Sequence, residues 1–411
     1  MSSRRVLRRC GVIADVQYAD VEDGSDYLKT VVRRFRGAKQ SMECGCALWK
    51  SLAAGAPATE SYPHALPAAP VTAVLQLGDF IDGRNHAAGA SHAALADLER
   101  VVAAGPCAPG AWLHLIGNHE LYNFTRDELA ARLRTRPPAT LPASADVVAA
   151  AAEGIRAVAT LGPEVQWPAP GAVCGTGREF YATRLATGWW AVVLDPYEVS
   201  TIAPSVPRGD GIDAVAAAKA AAIELVQAHN PNDVLGAANW KAGLTGLDLR
   251  WLPYNGAVGK TQLTWLTATL SAIQSLPPVP VDGEGGTRPH RAVVLCHVGL
   301  KPGSLSDDCL LWNYDDVLTA LQPFLGNTVA LVLQGHDHPG GAVAPGASVS
   351  GAPFVTFPSP MEVDKDDDAF GTLDLRDDGS AVVYGHGSPK AWRNALPGTR
   401  MLVVEPLTSK P

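Results

Sequence analysis

The stretch Cys10-Gly-Val-Ile-Ala-Asp-Val-Gln-Tyr18 carries an apolar run into two oxygen-bearing side chains, Asp15 and Gln17. Valine and isoleucine favour a buried strand, and residues two apart in a strand point the same way, so Asp15 and Gln17 are expected to face one site. Taken alone, the stretch reads equally as a strand ending in a polar loop. Four more stretches repeat the pattern. Val71-Thr-Ala-Val-Leu-Gln-Leu77 runs into Gly78-Asp-Phe-Ile-Asp-Gly83, and Ala111-Trp-Leu-His-Leu-Ile116 runs into Gly117-Asn-His-Glu120. Arg291-Ala-Val-Val-Leu-Cys296 delivers His297, and Val329-Ala-Leu-Val-Leu-Gln334 delivers Gly335-His-Asp-His338.

The rest of the chain frames these five segments. With 411 residues and 47% hydrophobic content it can bury a large core, and its net charge of −8 supplies no basic field for a nucleic-acid backbone. No apolar run reaches the roughly 18 residues a membrane helix needs. Met-Ser-Ser-Arg-Arg-Val-Leu-Arg-Arg is basic, but the first core strand follows at once, so no cleavable presequence is expected. Seven cysteines without a Cys-x-x-Cys pair suit a reducing, cytoplasmic setting, and Cys44-Gly-Cys46 reads as a loop feature.

Between the strands, Leu28, Val31, Val32 and Phe35 predict a helix over Tyr27 to Lys39, decorated by Arg33, Arg34, Arg36 and Lys39. Thr125 and Glu128 form a capping box for a helix reaching about Arg136, and further helices are expected at 213–228 and around Leu263 to Ile273. Gly259-Lys-Thr261 lacks the first glycine of a phosphate-binding loop, because residue 254 is Tyr. Asp195, behind Trp189-Trp-Ala-Val-Val-Leu194, has no evident partner and is expected to brace a loop. The region from 353 holds short strand-like runs. Ala/Pro-rich stretches mark insertions near 51–70 and 134–175 of a single domain spanning 1–411. Strands alternating with helices, then strands at the end, predict a layered α/β fold.

In open α/β sheets ligands bind beyond the carboxyl ends of strands, so the five polar ends can converge although they are more than 300 positions apart. A binuclear metal site needs such a convergence, since one carboxylate can bridge two divalent ions that together clamp a phosphoryl group. In order, the blocks DVQ, GDFID, GNHE, CH and GHDH resemble those of the calcineurin-like metallophosphoesterase superfamily, which run D-x-H, GDxxD, GNH(D/E), H and GHxH. Gln17 stands where most of that superfamily has His. With its flanking text and the later Cys309-Leu-Leu-Trp-Asn-Tyr-Asp-Asp316, it makes the chain similar to the manganese-dependent ADP-ribose/CDP-alcohol diphosphatase family from Gly11 to about Trp392. Asp337 departs from the threonine usual in the last block and adds negative charge beside the expected metals.

The resemblance implies a four-layer α-β-β-α sandwich with a dinuclear site at strand C-terminal ends. Asp15, Gln17 and His338 would hold one divalent ion, and Asn118, His297 and His336 the other, with Asp79 bridging. The ions would be Mn²⁺, with Mg²⁺ as a substitute, because oxygen donors outnumber imidazole at the first site. Adjacent Asn118 and His119 diverge, which lets His119 turn toward substrate with Asp82 fixing its ring. The implied reaction is attack by a metal-activated hydroxide on a pyrophosphate, giving AMP and ribose 5-phosphate, or CMP and a phosphoalcohol. Phe35, Leu244, Trp312, Asn313 and Tyr314 are candidates to hold the nucleoside, and each reads as readily as core. The expected partners are small nucleoside diphosphate derivatives, not nucleic acid or membrane, with a monomer as the working expectation. A phosphomonoesterase or protein phosphatase of the same fold is the rival activity. A non-catalytic scaffold would show broken blocks, whereas every block here keeps a usable donor.

Overall fold

The computed structural model describes residues 4–26, 29–58, 64–135, 146–160, 173–175, 179–206, 211–236, 239–281, 286–345 and 351–407. Two sheets face each other. Strands β1 (Val6–Ile13), β2 (Val71–Gln76) and β3 (Trp112–His114) lie parallel in the first sheet. Later in the chain come β4 (Val173–Gly175), β5 (Tyr181–Ala186), β6 (Trp189–Val193), β7 (Arg291–Cys296), β8 (Val329–Gln334), β9 (Gly341–Val343) and β10 (Phe354–Thr356). They build the second sheet in the order β9-β10-β8-β7-β6-β5-β4, with β6, β7, β8 and β10 parallel. The run of strands expected at the end divides between the layers. Strand β10 joins the second sheet, whereas β11 (Phe370–Arg376), β12 (Ala381–His386) and β13 (Met401–Val404) extend the first into β13-β12-β11-β1-β2-β3.

Strand alternation explains the four layers. Cys10, Val12, Leu75 and Leu113 of the first sheet share one buried cluster with Val293, Leu295, Leu331 and Leu333 of the second, so these residues fill the space between sheets. Their neighbours Ile13, Val74, Ala292 and Val294 face outward into a second cluster. There, apart from α2 (Arg84–Ala87) and α7 (Gly211–Gln227), helices α1 (Phe35–Ser51), α3 (Ser91–Ala103) and α8 (Lys260–Gln274) contribute Met42, Trp49, Leu95, Leu98, Trp265 and Leu270. Both sheet faces are thus buried, which is why the strands read as unbroken apolar runs. No helix among the described residues is long and apolar enough to cross a membrane.

The first helix begins later than its periodicity predicts. Tyr27 and Leu28 lie outside the described residues, and the Asp26 carboxylate accepts from the backbone N–H groups of Thr30 and Val31 at 2.6 and 2.8 Å. That local capture competes with helical hydrogen bonding. Val32–Arg33 instead pairs with Gly24–Ser25, and the helix starts at Phe35, burying Phe35, Met42 and Trp49 at heptad spacing. Cys44 and Cys46 therefore sit on a helix, one exposed and one buried, and not in a loop.

The capping box forms as expected: the Thr125 backbone N–H donates to Glu128 Oε2 at 2.8 Å and opens α5 (Arg126–Arg132). Within the Ala/Pro-rich region, Val147–Thr160 is helical (α6) and packs on α8, while residues 136–145 and 161–172 lie outside the described set. At the start of α8, the Gly259 N–H donates to the Glu198 carboxylate at 2.9 Å, so a carboxylate and not a phosphate meets this end.

Candidate metal centre

All five polar strand ends meet at one edge of the sandwich. Asp15 and Gln17 follow β1, Asp79 follows β2, Asn118 opens the short helix α4 (Asn118–Asn123) after β3, His297 follows β7, and His336 and His338 follow β8. Strand alternation does not bring Asp15 and Gln17 together, since β1 ends at Ile13 and both residues are left-handed, with φ of 50° and 42°. Their backbone N–H groups reach across to Gly78 O and Asp79 O at 3.1 and 2.9 Å, so the two loops zip together. His336 is likewise left-handed, at φ 71°, just beyond the end of β8.

The glycines of the blocks have a steric reason. A Cβ on Gly78 would come within 2.4 Å of the His297 ring, and one on Gly117 within 2.0 Å of Asp79 Oδ1. Glu120, fully buried, then clamps the turn. Its carboxylate accepts from the N–H groups of Gly117 at 2.7 Å and Asp79 at 2.9 Å, and also from that of Phe80.

Ligand atoms of Asp79, His297 and His336 lie within 4.8 Å of one another, all buried. His297 Nε2 is 3.4 Å from Asp79 Oδ2, and His338 Nε2 is 4.0 Å from Asp15 Oδ1. Gln17 joins them, its amide nitrogen 3.0 Å from Asp79 Oδ2 and 2.9 Å from His338 Nε2. Each imidazole is anchored on its far side. His297 Nδ1 donates to Leu77 O at 2.8 Å, and His338 Nδ1 to the Glu362 carboxylate at 2.6 Å. Asn255 spends both N–H groups on Arg250 O and Asp308 O, so its Oδ1 faces His336 Nε2 at 2.7 Å and takes the proton there. These bonds leave His297 Nε2, His338 Nε2 and His336 Nδ1 with their lone pairs.

Charge and satisfaction both fit cations. His297 Nε2 and Gln17 Oε1 are buried without a hydrogen-bond partner, an expensive state for polar atoms unless an ion meets them. Burial would raise the Asp79 carboxyl, yet the imidazoles of His297 and His119 outweigh it and hold the group well below the usual range. Burial pushes the Asp15 carboxyl up to about 6 against the pull of His297 and His338. Carboxylate, amide oxygen and imidazole form the mixed donor set that divalent first-row ions accept.

His119 stands apart from this group. The Gly83 N–H donates to its Nδ1 at 2.8 Å, so Nε2 carries the proton, 3.9 Å from Asp79 Oδ2. Asp82 Oδ2 lies 3.2 Å from Nδ1 and its other oxygen accepts from Arg84 N at 2.8 Å, so Asp82 and the Gly83 backbone together hold the ring. Asn118 is steadied from two sides, accepting from Tyr197 OH at 3.2 Å while its nitrogen lies 3.4 Å from Tyr122 OH. Asp195, which read as partnerless, accepts from Arg126 Nη1 at 2.8 Å and from Tyr197 N at 3.0 Å, so it does brace the loop carrying that tyrosine.

A cleft of about 360 Å³ opens over the centre, floored by Gln17, Asp79, Asn118, His119, His336 and His338. Its rim includes Arg33, Tyr122, Lys241, Tyr254 and Asp308. A larger hollow of about 510 Å³ between α1 and α3 contains none of the candidate ligands. None of the five residues expected to hold a nucleoside lines the cleft. Phe35 is fully buried in the outer core, and Trp312 is buried with its indole N–H on Leu252 O at 3.0 Å. Asn313 bonds to Val258, Tyr314 opens α9 (Tyr314–Leu321), and Leu244 sits half-buried beside Lys241. Aromatic residues at such spacing pack as readily as they bind, and here packing prevails. Of the four cations near the Asp15 loop, only Arg33 reaches the cleft.

A two-sheet sandwich with these donors gathered at its strand ends offers the arrangement that a pair of divalent ions acting on a phosphoryl group requires. No family model matches the chain. It is 28% identical over 380 residues to the manganese-dependent ADP-ribose/CDP-alcohol diphosphatase of Danio rerio, covering 92% of this chain and 94% of that protein. Proteins of the same name are 27% identical in Arabidopsis thaliana, covering 83% of each chain, and 26% identical in Homo sapiens, covering 92% and 89%. The crystal structure of a dimetal phosphatase from Danio rerio superposes with a TM-score of 0.68 at 26% identity, covering 97% of this chain and 99% of that one. Over nearly its whole length the chain is thus similar to proteins named manganese-dependent ADP-ribose/CDP-alcohol diphosphatase and to a solved dimetal phosphatase.

Proposed function

We propose that the protein hydrolyses the pyrophosphate bond of ADP-ribose and CDP-alcohols with Mn²⁺ as its metal, Mg²⁺ serving as a substitute. The observation that carries this reading is the buried Asp79, His297 and His336 group with its partnerless nitrogen, at the floor of an open cleft. Asp15, Gln17 and His338 would hold one ion and Asn118, His297 and His336 the other, with Asp79 between them. When bound, two such ions neutralise phosphoryl charge and acidify water. Around them the chain does the rest. Leu77 O, Asn255 and Glu362 hold the three imidazoles in one tautomer, and Tyr197 and Tyr122 fix the Asn118 amide. His119 presents its Nε2–H to the cleft, where it can donate to a phosphoryl oxygen as charge builds there. Water adds to one phosphorus and the bridging P–O bond breaks. The departing phosphomonoester, whose second pKa is about 6, needs little protonation. AMP and ribose 5-phosphate, or CMP and a phosphoalcohol, leave.

The proposed substrates are small molecules, and a monomer is the working expectation. Six free cysteines among the described residues support a reducing, cytoplasmic setting. A panel of ADP-ribose, CDP-choline and p-nitrophenyl phosphate, run with Mn²⁺ and with Mg²⁺, tests the reading. Preference for the two diphosphates with Mn²⁺ supports it, and preference for the monoester overturns it.

A further inference from the structure

A diphosphate diester carries one negative charge on each phosphate, and the metal centre faces only the phosphate under attack. The second needs its own cation. Two cationic side chains line the cleft, Arg33 and Lys241. Arg33 is committed to the metal side: its Nε donates to Glu362 at 3.0 Å and its Nη2 lies 3.5 Å from His338 Nδ1, so it belongs to the anchor of that imidazole.

Lys241 is built differently. It sits on the excursion between Asn230 and Asn255, where Asn230 and Asn232 both donate to Trp240 O at 3.0 Å and Asn232 donates to Ala242 O at 2.9 Å. These bonds fix the backbone on both sides of the lysine. Its Nζ donates to Asp308 Oδ2, which also accepts from Tyr254 OH at 3.3 Å. The backbone carbonyl of Asp308 is itself held at 2.9 Å by Asn255, the residue that sets the His336 tautomer. The Tyr254 ring stands edge-on to the His336 ring with centroids 5.7 Å apart, so a single tyrosine separates the lysine pair from a candidate metal ligand.

We infer that Lys241, held by Asp308 and Tyr254, is the binding site for the second, unattacked phosphate and thereby selects diphosphate esters over simple phosphodiesters. An ammonium offers three N–H donors, and the Asp308 carboxylate fixes where that ammonium sits on the cleft wall. Tyr254 supplies a hydroxyl on the same wall. The inference rests on the proposed diphosphatase reading and goes beyond it by naming what recognises the substrate outside the metal centre.

The test uses the manganese-loaded enzyme with ADP-ribose and bis(p-nitrophenyl) phosphate, which share a phosphoryl centre but not a second phosphate. For Lys241→Met, the ratio of kcat/KM for ADP-ribose to that for the diester should fall by about 10- to 100-fold, as expected for losing a charge-assisted contact. Lys241→Arg, which keeps the charge and can keep the Asp308 pairing, should recover most of the ratio. An unchanged ratio in Lys241→Met overturns the inference. So does an equal loss on both substrates, which marks the pair as a loop brace. If the wild-type enzyme cleaves the diester but not ADP-ribose, the diphosphatase reading fails first. Direct titration with a methylene-bridged ADP-ribose analogue and with AMP then still decides the matter. Tighter binding of the analogue than AMP, lost in Lys241→Met, supports the site, and the same preference in both proteins removes it.

Discussion

Replacing Asn255 with Ala should weaken the metal centre without touching a ligand. The fully buried amide makes three bonds, donating to Arg250 O and Asp308 O at 2.9 Å each and accepting from His336 Nε2 at 2.7 Å. At about 1 kcal/mol net per bond, the truncation costs about 3 kcal/mol of folding stability, a sizeable share of the roughly 5–15 kcal/mol of a typical protein. The second effect is specific to metal. Without Oδ1, the His336 ring loses what fixes its tautomer and plane, and outer contacts of this kind are worth about 10- to 100-fold in metal affinity. By linkage, the stabilisation conferred by saturating Mn²⁺ then shrinks by about 1.4–2.7 kcal/mol. Thermal melts of wild type and Asn255→Ala with and without Mn²⁺, together with calorimetric Mn²⁺ titrations, separate the two contributions. A loop brace alone would lower both melts equally. If the Mn²⁺-induced rise in Tm and the affinity match wild type, the tautomer argument is refuted.

Three further outcomes are expected. His119→Ala should lower kcat on ADP-ribose by roughly 10²- to 10⁴-fold with metal content intact; metal loss by elemental analysis would mean that His119, not Asn118, is the ligand. Gln17→His replaces an amide oxygen with imidazole nitrogen and should shift metal retention from Mn²⁺ toward zinc or iron; identical metal titrations of the two apo-proteins would remove Gln17 from the site. His114, stacked on Trp112 with centroids 5.9 Å apart, has its pKa pushed down by burial from 6.5 to about 3. It is neutral in the fold while the unfolded chain takes up a proton below about pH 6.5, so its contribution is whole above that pH and is lost as pH falls toward 3. In His114→Phe, the stability lost between pH 6.5 and 5 should be smaller by about 2 kcal/mol, read from denaturant melts; an unchanged pH dependence would contradict a buried neutral histidine.

The parts of the centre legible in the sequence are those with a local cause. Gly78 and Gly117 must be glycine because the His297 ring and the Asp79 carboxylate occupy the space of a Cβ, so the candidate donors come in short fixed blocks behind apolar strands. Asn255, Glu362 and Tyr197 have no such signature. Each reaches the centre from a separate loop, 81 residues from His336, 24 from His338 and 79 from Asn118 respectively, and only tertiary packing brings them in. Trp312 and Phe35 fail as nucleoside contacts for the opposite reason. Apolar spacing records that a side chain is buried, not whether a ligand or the core buries it. The start of α1 was hidden because Asp26 captures Thr30 and Val31, a bond from side chain to backbone that outcompetes an apolar period.

The strain at the centre explains why the blocks must be so exact in order. Eight non-glycine residues among those described have positive φ, and Asp15, Gln17, Asp79 and His336 are four of them. Each such residue costs on the order of 1–3 kcal/mol, and it persists only where the surroundings over-determine it. The restraint comes from the candidate donors themselves. Both oxygens of Asp15 accept from the His336 N–H at 3.0 Å, Asp79 Oδ1 accepts from the His119 N–H at 2.9 Å, and Gln17 N donates to Asp79 O at 2.9 Å. A carboxylate expected to hold an ion therefore also holds the backbone of another donor, and the Asp15 bond joins the first sheet to the second. The two sheets consequently present their donors already gathered. Ion binding has little backbone left to order, and its free energy can go into affinity.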